Sequence, residues 1–264
     1  MKFWNCLLMT CCIFATMTTV AMEDEEEEDC DGFESQLLKH MFEKNDLPYK
    51  EPDVKTVKAT FAMGCFWGVE SVFGGTPGVI RVKCGYIGGE KKNPTYRDLG
   101  DHTEAVELEY DPEKTDFSKL LQVFWENHDP AEQHKRQYMS AIFVHDEEQE
   151  KLSKKSMEEQ QKKNEDKIVT QILPAGTFYD AEDYHQKYFL RFHDNLLSSL
   201  GMGDKELLNS YRASRLLGYI TGHGKEDNFK NEVDKLALTA DQAGYVRKFM
   251  KNKDMGSCAA KKNP

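Results

Sequence analysis

The sequence predicts an α+β protein: a ferredoxin-like split βαβ plait, built as a two-layer sandwich, with a C-terminal helical extension. Three observations predict it. Hydrophobic residues repeat alternately with strand and helix periods, in the order β-α-β, β-α-β, between residues 56 and 145. Clusters of Gly and Pro fall at the junctions. From residue 201 onward only helix signals remain.

Residues 56–63 are rich in β-formers and read as a strand. Residues 65–73 space Phe66, Val69 and Phe73 on one helical face, and Gly74, Gly75, Pro77 and Gly78 break that helix. Residues 79–86 alternate as a second strand before Gly85, Gly88 and Gly89 open a loop. In 103–110, Ala105 or Val106 and Leu108 alternate with Glu104, Glu107 and Glu109, and Asp111-Pro112 stops the strand. Residues 117–125 place Leu120, Leu121, Phe124 and Trp125 on one stripe, and 138–145 is a fourth strand. Both helices then cover one face of a small antiparallel sheet. A charged helix at 146–163, a strand at 168–173 and a helix at 181–192 follow, the last carrying Tyr184, Tyr188, Phe189 and Phe192. The compact unit is expected to close near His193. Helices at 204–217, 225–238 and 239–250 form the extension, the last opened by a Thr239 cap.

With 264 residues, 39% of them hydrophobic and 31% charged, the chain has the composition of a packed globular protein rather than a disordered one. Its formal charge of −11 repels phosphate backbones and anionic lipid, so nucleic acid and acidic membrane surfaces are excluded as partners. Residues 1–21 read as a secretory signal peptide: Lys2, an apolar run, then Thr19 and Ala21 as the small residues that a signal peptidase needs, with cleavage after Ala21. A secreted or secretory-lumen protein follows, with no membrane attachment after cleavage. Cleavage removes Cys6, Cys11 and Cys12 and leaves Cys30, Cys65, Cys84 and Cys258, too few for a disulfide scaffold. Residues 22–53 form an acidic arm and linker, since Glu23 to Asp29 repel one another and bury no face. The compact domain occupies 54–195, the helical extension and tail 196–264. A monomer is expected.

Cys65 carries the chemistry. It follows a strand and a Gly and stands at the first turn of a helix, where unpaired backbone N–H groups and the positive end of the dipole favour a thiolate. A thiolate is a nucleophile or a metal ligand. No Cys-x-x-Cys or His-Glu-x-x-His spacing supplies metal partners, so neither metal nor cofactor is called for.

The stretch Gly64-Cys65-Phe66-Trp67-Gly68-Val69-Glu70 resembles the signature of the peptide-methionine (S)-S-oxide reductases, the A family of methionine sulfoxide reductases. Five further blocks resemble that family in family order: Asn93-Pro94-Thr95-Tyr96-Arg97, His102-Thr103-Glu104-Ala105-Val106, Trp125-Glu126-Asn127-His128-Asp129-Pro130, Gln137-Tyr138, and Phe178-Tyr179-Asp180-Ala181-Glu182-Asp183-Tyr184-His185-Gln186. The resemblance implies that the compact domain is a reductase acting on S-methionine sulfoxide, free or in oxidised proteins and peptides. It implies Cys65 as nucleophile, passing through a sulfenic acid. Glu104 would be the proton donor, kept protonated by a desolvating pocket and assisted by the Tyr96 and Tyr138 hydroxyls. Phe66 and Trp67 would line the cavity for the substrate methyl group, and thioredoxin or another dithiol would recycle the enzyme.

The sequence also departs from the family. Where many members carry Gly-Asn-Asp-His-Gly-Thr, with an acid that orders the site, this chain reads Ala131-Glu132-Gln133-His134-Lys135-Arg136. That role passes to no residue, with Asp129 and Glu132 as the nearest acids. The Gly-rich tail with its recycling cysteines is missing. Cys258, near the end and flanked by Gly256 and Ser257, is the candidate resolving thiol; Cys84 is its rival, and Cys30 is expected to form a structural or intermolecular disulfide. Two other readings stay open at this point: an acidic interaction protein that has kept the fold and lost turnover, and a thiol peroxidase, which has no use for an aromatic methyl pocket.

Overall fold

The computed structural model describes residues 48–251. The expected signal peptide, most of the expected acidic arm, Cys30 and Cys258 lie outside the described residues. The chain folds as β1 (Val57–Met63), α1 (Phe66–Gly75), β2 (Val79–Ile87), β3 (Thr103–Tyr110), α2 (Phe117–Glu126), β4 (Ser140–Val144), α3 (Glu147–Gln161), β5 (Gln171–Pro174) and β6 (Tyr179–Asp180). Helices α4 (Asp194–Ser199), α5 (Asp204–Asn209), α6 (Tyr211–Ile220), α7 (Glu226–Glu232) and α8 (Ala240–Phe249) complete it. The class is α+β, with a mixed sheet ordered β5-β4-β1-β3-β2-β6. All neighbours are antiparallel except β4 and β5, so the sheet is larger and less uniform than the small antiparallel one expected.

Phe61 at the centre of β1 stacks on Phe73 of α1 at 4.9 Å and on Phe117 of α2 at 5.8 Å, which puts both helices on one face. The opposite face buries Ala62, Ala105, Ala141 and Phe143 beneath Leu173, Ala175 and Phe178. The register brings Met63 beside Ser140 and Tyr86 beside Glu104. The end of β1, the end of β2, the start of β3 and the start of β4 therefore meet at one end of the sheet.

Strand parity corrects the reading of Glu104. The sequence grouped it with Glu107 and Glu109, but side chains alternate with period two, so it shares a face with Val106, Leu108 and Tyr110. It is 1% exposed, beneath the helices. Glu107 and Glu109 point the other way and pair with Lys58 and Arg81.

The expected helix at 181–192 is not formed. Short 3₁₀ turns at Asp183–His185 and Leu190–Phe192 flank Lys187, whose φ of 53° is left-handed. Tertiary bonding holds it there: Lys187 N and Nζ each lie 2.8 Å from the buried Glu70 carboxylate on α1. The expected 204–217 helix breaks at Ser210, whose hydroxyl accepts from Ala213 N and starts α6. The 225–238 helix is shortened to α7, with Ala237 at φ 50° beyond it. Tyr138 sits in a 3₁₀ turn before β4 rather than in the strand.

Helix α6 crosses the C-terminal end of α1 at backbone contact. A Cβ placed on Gly218 would stand 2.0 Å from Gly75 N, and one on Gly74 would stand 2.5 Å from Ser214 O. At this crossing the buried Arg215 donates from Nη1 to Gly74 O at 2.7 Å and to Thr76 O at 2.9 Å. These bonds satisfy carbonyls that the end of α1 leaves open. Glu232 balances the guanidinium at 2.8 Å. No helix among the described residues is long and apolar enough to cross a membrane.

Candidate active site

Gly64, at φ 89°, turns the chain from β1 into α1 in a conformation that a side chain would strain. Cys65 is then the N-cap: its carbonyl accepts from Gly68 N and Val69 N, and its partly exposed thiol stands at the anion-favouring end of the helix. Phe66, the first helical residue, donates its backbone N–H to Glu104 Oε2 at 3.2 Å. Gln137 Nε2 donates to the other oxygen at 2.8 Å. Burial pushes the Glu104 carboxyl up to about 7 against the pull of these two bonds, so near neutral pH it holds a transferable proton.

Tyr138 follows Gln137 and is pushed well above the ordinary phenol range by burial, by a hydrogen bond with Tyr96, and by the fields of Glu104 and Cys65. The four predicted catalytic residues therefore converge. One detail differs from expectation: Glu104 is hydrogen-bonded by Gln137 and the Phe66 amide rather than by the Tyr96 and Tyr138 hydroxyls.

The loop that carries Tyr96 is tied down on several sides. His102 Nδ1 accepts from Gly89 N, its Nε2 lies 2.7 Å from Lys91 O, and Tyr96 N donates to Glu182 Oε1 at 3.0 Å. Glu182 also accepts from the Tyr86 hydroxyl at 2.7 Å. Arg136 donates to Gly88 O and Asp101 O, so the turn before Tyr138 is bolted to the Tyr96 loop. This arginine organises the stretch in which the family's acid is missing. Asp129 and Glu132 do not take that acid's place: Asp129 accepts from Ala131 N, and the exposed Glu132 lies 3.5 Å from His134.

Phe66 and Trp67 lie with their ring centroids 6.3 Å apart, and other rings join them in an aromatic wall. The His185 ring lies 5.1 Å from Phe66, 5.6 Å from Trp67 and 4.7 Å from Tyr96. Tyr188 stacks on Trp67 at 3.7 Å. Burial lowers the basicity of His185, and neither ring nitrogen has a hydrogen-bond partner among the described residues. Gln186 fixes this segment against β2, accepting from Cys84 N and donating to Cys84 O, each at 2.9 Å. Gln137, Glu182 and His185 all lie inside blocks quoted from the sequence; what was missing was a role for them.

Cys84 is fully buried under α1, its thiol 3.6 Å from Phe66 O. Burial and the neighbouring Glu70 carboxylate push it well above the usual thiol range.

Comparison with known proteins gives the family. The family described as peptide methionine sulfoxide reductase matches residues 57–208. The one described as selenoprotein methionine sulfoxide reductase A, helical domain, matches residues 201–251. A peptide methionine sulfoxide reductase of Drosophila melanogaster is 46% identical over 209 residues, 77% of this chain and 84% of that protein. An MsrA of Methanothermobacter thermautotrophicus is 46% identical, covering 50% of this chain and 85% of its own. The crystal structure of reduced Mxr1 from Saccharomyces cerevisiae superposes with a TM-score of 0.50 at 30% identity, covering 57% of this chain and 92% of that one. With a nucleophile, a buried acid and an aromatic wall brought together across a match of this extent, the chain belongs to the peptide methionine sulfoxide reductase family.

Proposed function

We propose that the chain reduces the S epimer of methionine sulfoxide, free or within peptides and proteins, and so repairs oxidative damage. The Cys65 thiolate attacks the sulfoxide sulfur while the oxygen takes a proton from Glu104. The oxygen then passes to the Cys65 sulfur, giving a sulfenic acid and the thioether; two electrons move from Cys65 to the substrate. A second thiol condenses with the sulfenic acid, water leaves, and thioredoxin or another dithiol reduces the resulting disulfide. Tyr96 and Tyr138 flank the proton-transfer centre. Phe66 and Trp67 take the methyl group and thereby set which face shows its oxygen to Glu104. The observation that carries this reading is the buried Glu104 carboxyl, poised near 7 and joined to the residue that follows Cys65. A thiol peroxidase has no use for this wall, and an intact constellation argues against lost turnover.

Assaying a blocked methionine sulfoxide with dithiothreitol tests it. Turnover of the S epimer alone is expected, and Cys65→Ser abolishes the stoichiometric burst. Equal rates on both epimers, or a surviving burst, overturn the assignment.

Finer points belong with this proposal. The β4-β1-β3-β2 core with α1 and α2 on one face supports the ferredoxin-like plait. The run from Lys2 to Ala21 supports a signal peptide and action in the secretory pathway. Cys258 is proposed as the resolving thiol, because Cys84 is held buried and protonated.

A further inference from the structure

Phe192 is 64% exposed, the largest exposure among the large hydrophobic side chains described. A lone exposed ring needs no explanation, but this one is not alone. It packs edge-on against Tyr188 at 5.1 Å, Tyr188 stacks on Trp67 at 3.7 Å, and Trp67 is two residues from Cys65. A continuous aromatic strip thus leads from the nucleophile to the surface. Phe192 is also held still. Leu190, at the start of its turn, is fully buried, and Arg191 between them donates to Gln186 O at 2.8 Å, Asp183 O at 2.6 Å and Asp204 Oδ1 at 2.8 Å. A fixed, exposed aromatic ring offers binding surface at little entropic cost.

The reach of the strip selects its occupant. Free methionine sulfoxide fills the pocket at Phe66 and Trp67 and extends no further. An extended polypeptide advances about 3.3 Å per residue, so two to three residues cover the ring-to-ring steps from Trp67 to Phe192. A single ring is also far too little surface for a stable dimer, which buries roughly 800 Å² on each partner.

We propose that Phe192 is a substrate-selecting residue that binds an apolar or aromatic side chain of a polypeptide, within about three residues of its oxidised methionine. The proposal rests on the reductase reading and deepens it: the enzyme prefers oxidised methionines set in exposed apolar stretches, which folded proteins bury and damaged ones display.

The test compares kcat/KM for three substrates: N-acetyl methionine sulfoxide, heptapeptides with Phe two or three residues to either side of the sulfoxide, and the same peptides with Ser in place of Phe. The wild type should favour the Phe peptides on one side. Phe192→Ser should remove that preference, roughly three- to tenfold, by the usual worth of an aromatic contact. It should leave turnover of the blocked amino acid unchanged, and Phe192→Trp should retain the preference. A wild type indifferent to the flanking residue, a preference that survives Phe192→Ser, or an equal loss on all three substrates overturns the proposal. So does a Phe192→Ser change that only dissociates a dimer in sedimentation. Absence of wild-type turnover on the blocked amino acid would instead sink the reductase reading.

Discussion

The backbone N–H of Phe66 points at Glu104 Oε2 across 3.2 Å, so the residue that follows Cys65 also holds the carboxyl group proposed as the acid. Thiol and proton donor cannot drift apart without breaking that bond. Their spacing is thus set by α1 packing on β3, two rigid elements, rather than by a loop.

Glu104→Gln should lower the reduction rate by about 10² or more, the scale for losing a general acid. A pH series adds a sharper readout. The carboxyl sits at about 7 in the fold, above its ordinary 4.5, so the folded state holds the proton more tightly than the unfolded one. Wild-type stability therefore falls as pH rises between these values, and Glu104→Gln should flatten the slope in urea melts.

Gln137→Met removes a donor that favours the ionised carboxylate. Glu104 should then hold its proton to higher pH, and the alkaline limb of the kcat/KM profile should move up by about one unit or less. A downward shift, or none, would mean that Gln137 does not tune the acid.

Glu70 and Lys187 form an ion pair in which both side chains are fully buried. Lys187→Met leaves a carboxylate unpaired in the core and should cost about 3–5 kcal/mol in denaturant melts. Replacing both partners by apolar residues should recover a large part of that loss.

Gly218→Ala puts a methyl group where Gly75 N already stands. Overpacking of this kind costs about 1–3 kcal/mol, and the loss should appear as a lower urea midpoint.

Oxidising the mature protein with one equivalent of substrate and mapping disulfides without reduction should find a Cys65–Cys258 link. A link to Cys84 would mean that β2 opens during turnover. A persistent sulfenic acid would assign recycling to an external thiol.

The sequence made the site legible where chemistry is carried by contiguous residues. Cys65 is named by its own position after a strand and a Gly, Tyr96, Glu104 and Tyr138 by blocks that resemble the family's, and their elements meet at one end of the sheet. Strand parity was also there to be read, since Glu104 is an even step from Val106 and Leu108 and an odd one from Glu107. The segment 181–192 was not legible. Its aromatic spacing matches a helix, but the conformation is decided by the bonds of Lys187 to Glu70, a residue more than a hundred positions earlier. Gln137 was missed for a related reason: its role depends on a distance across space to β3, and no local periodicity encodes that.

The backbone contact between Gly218 and Gly75, with Arg215 closing the end of α1, bears on how this gene can be edited. A transcript or protease that stopped the chain before residue 211 would spare Cys65, Tyr96, Glu104 and Tyr138 and would lose Cys258. It would also strip cover from Ile80 and bare the carbonyls of Gly74 and Thr76 at the end of the nucleophile's helix. Such a fragment should melt at lower denaturant than the full chain. The segment from residue 211 on thus acts on the nucleophile's helix from outside the site, as cover for its far end.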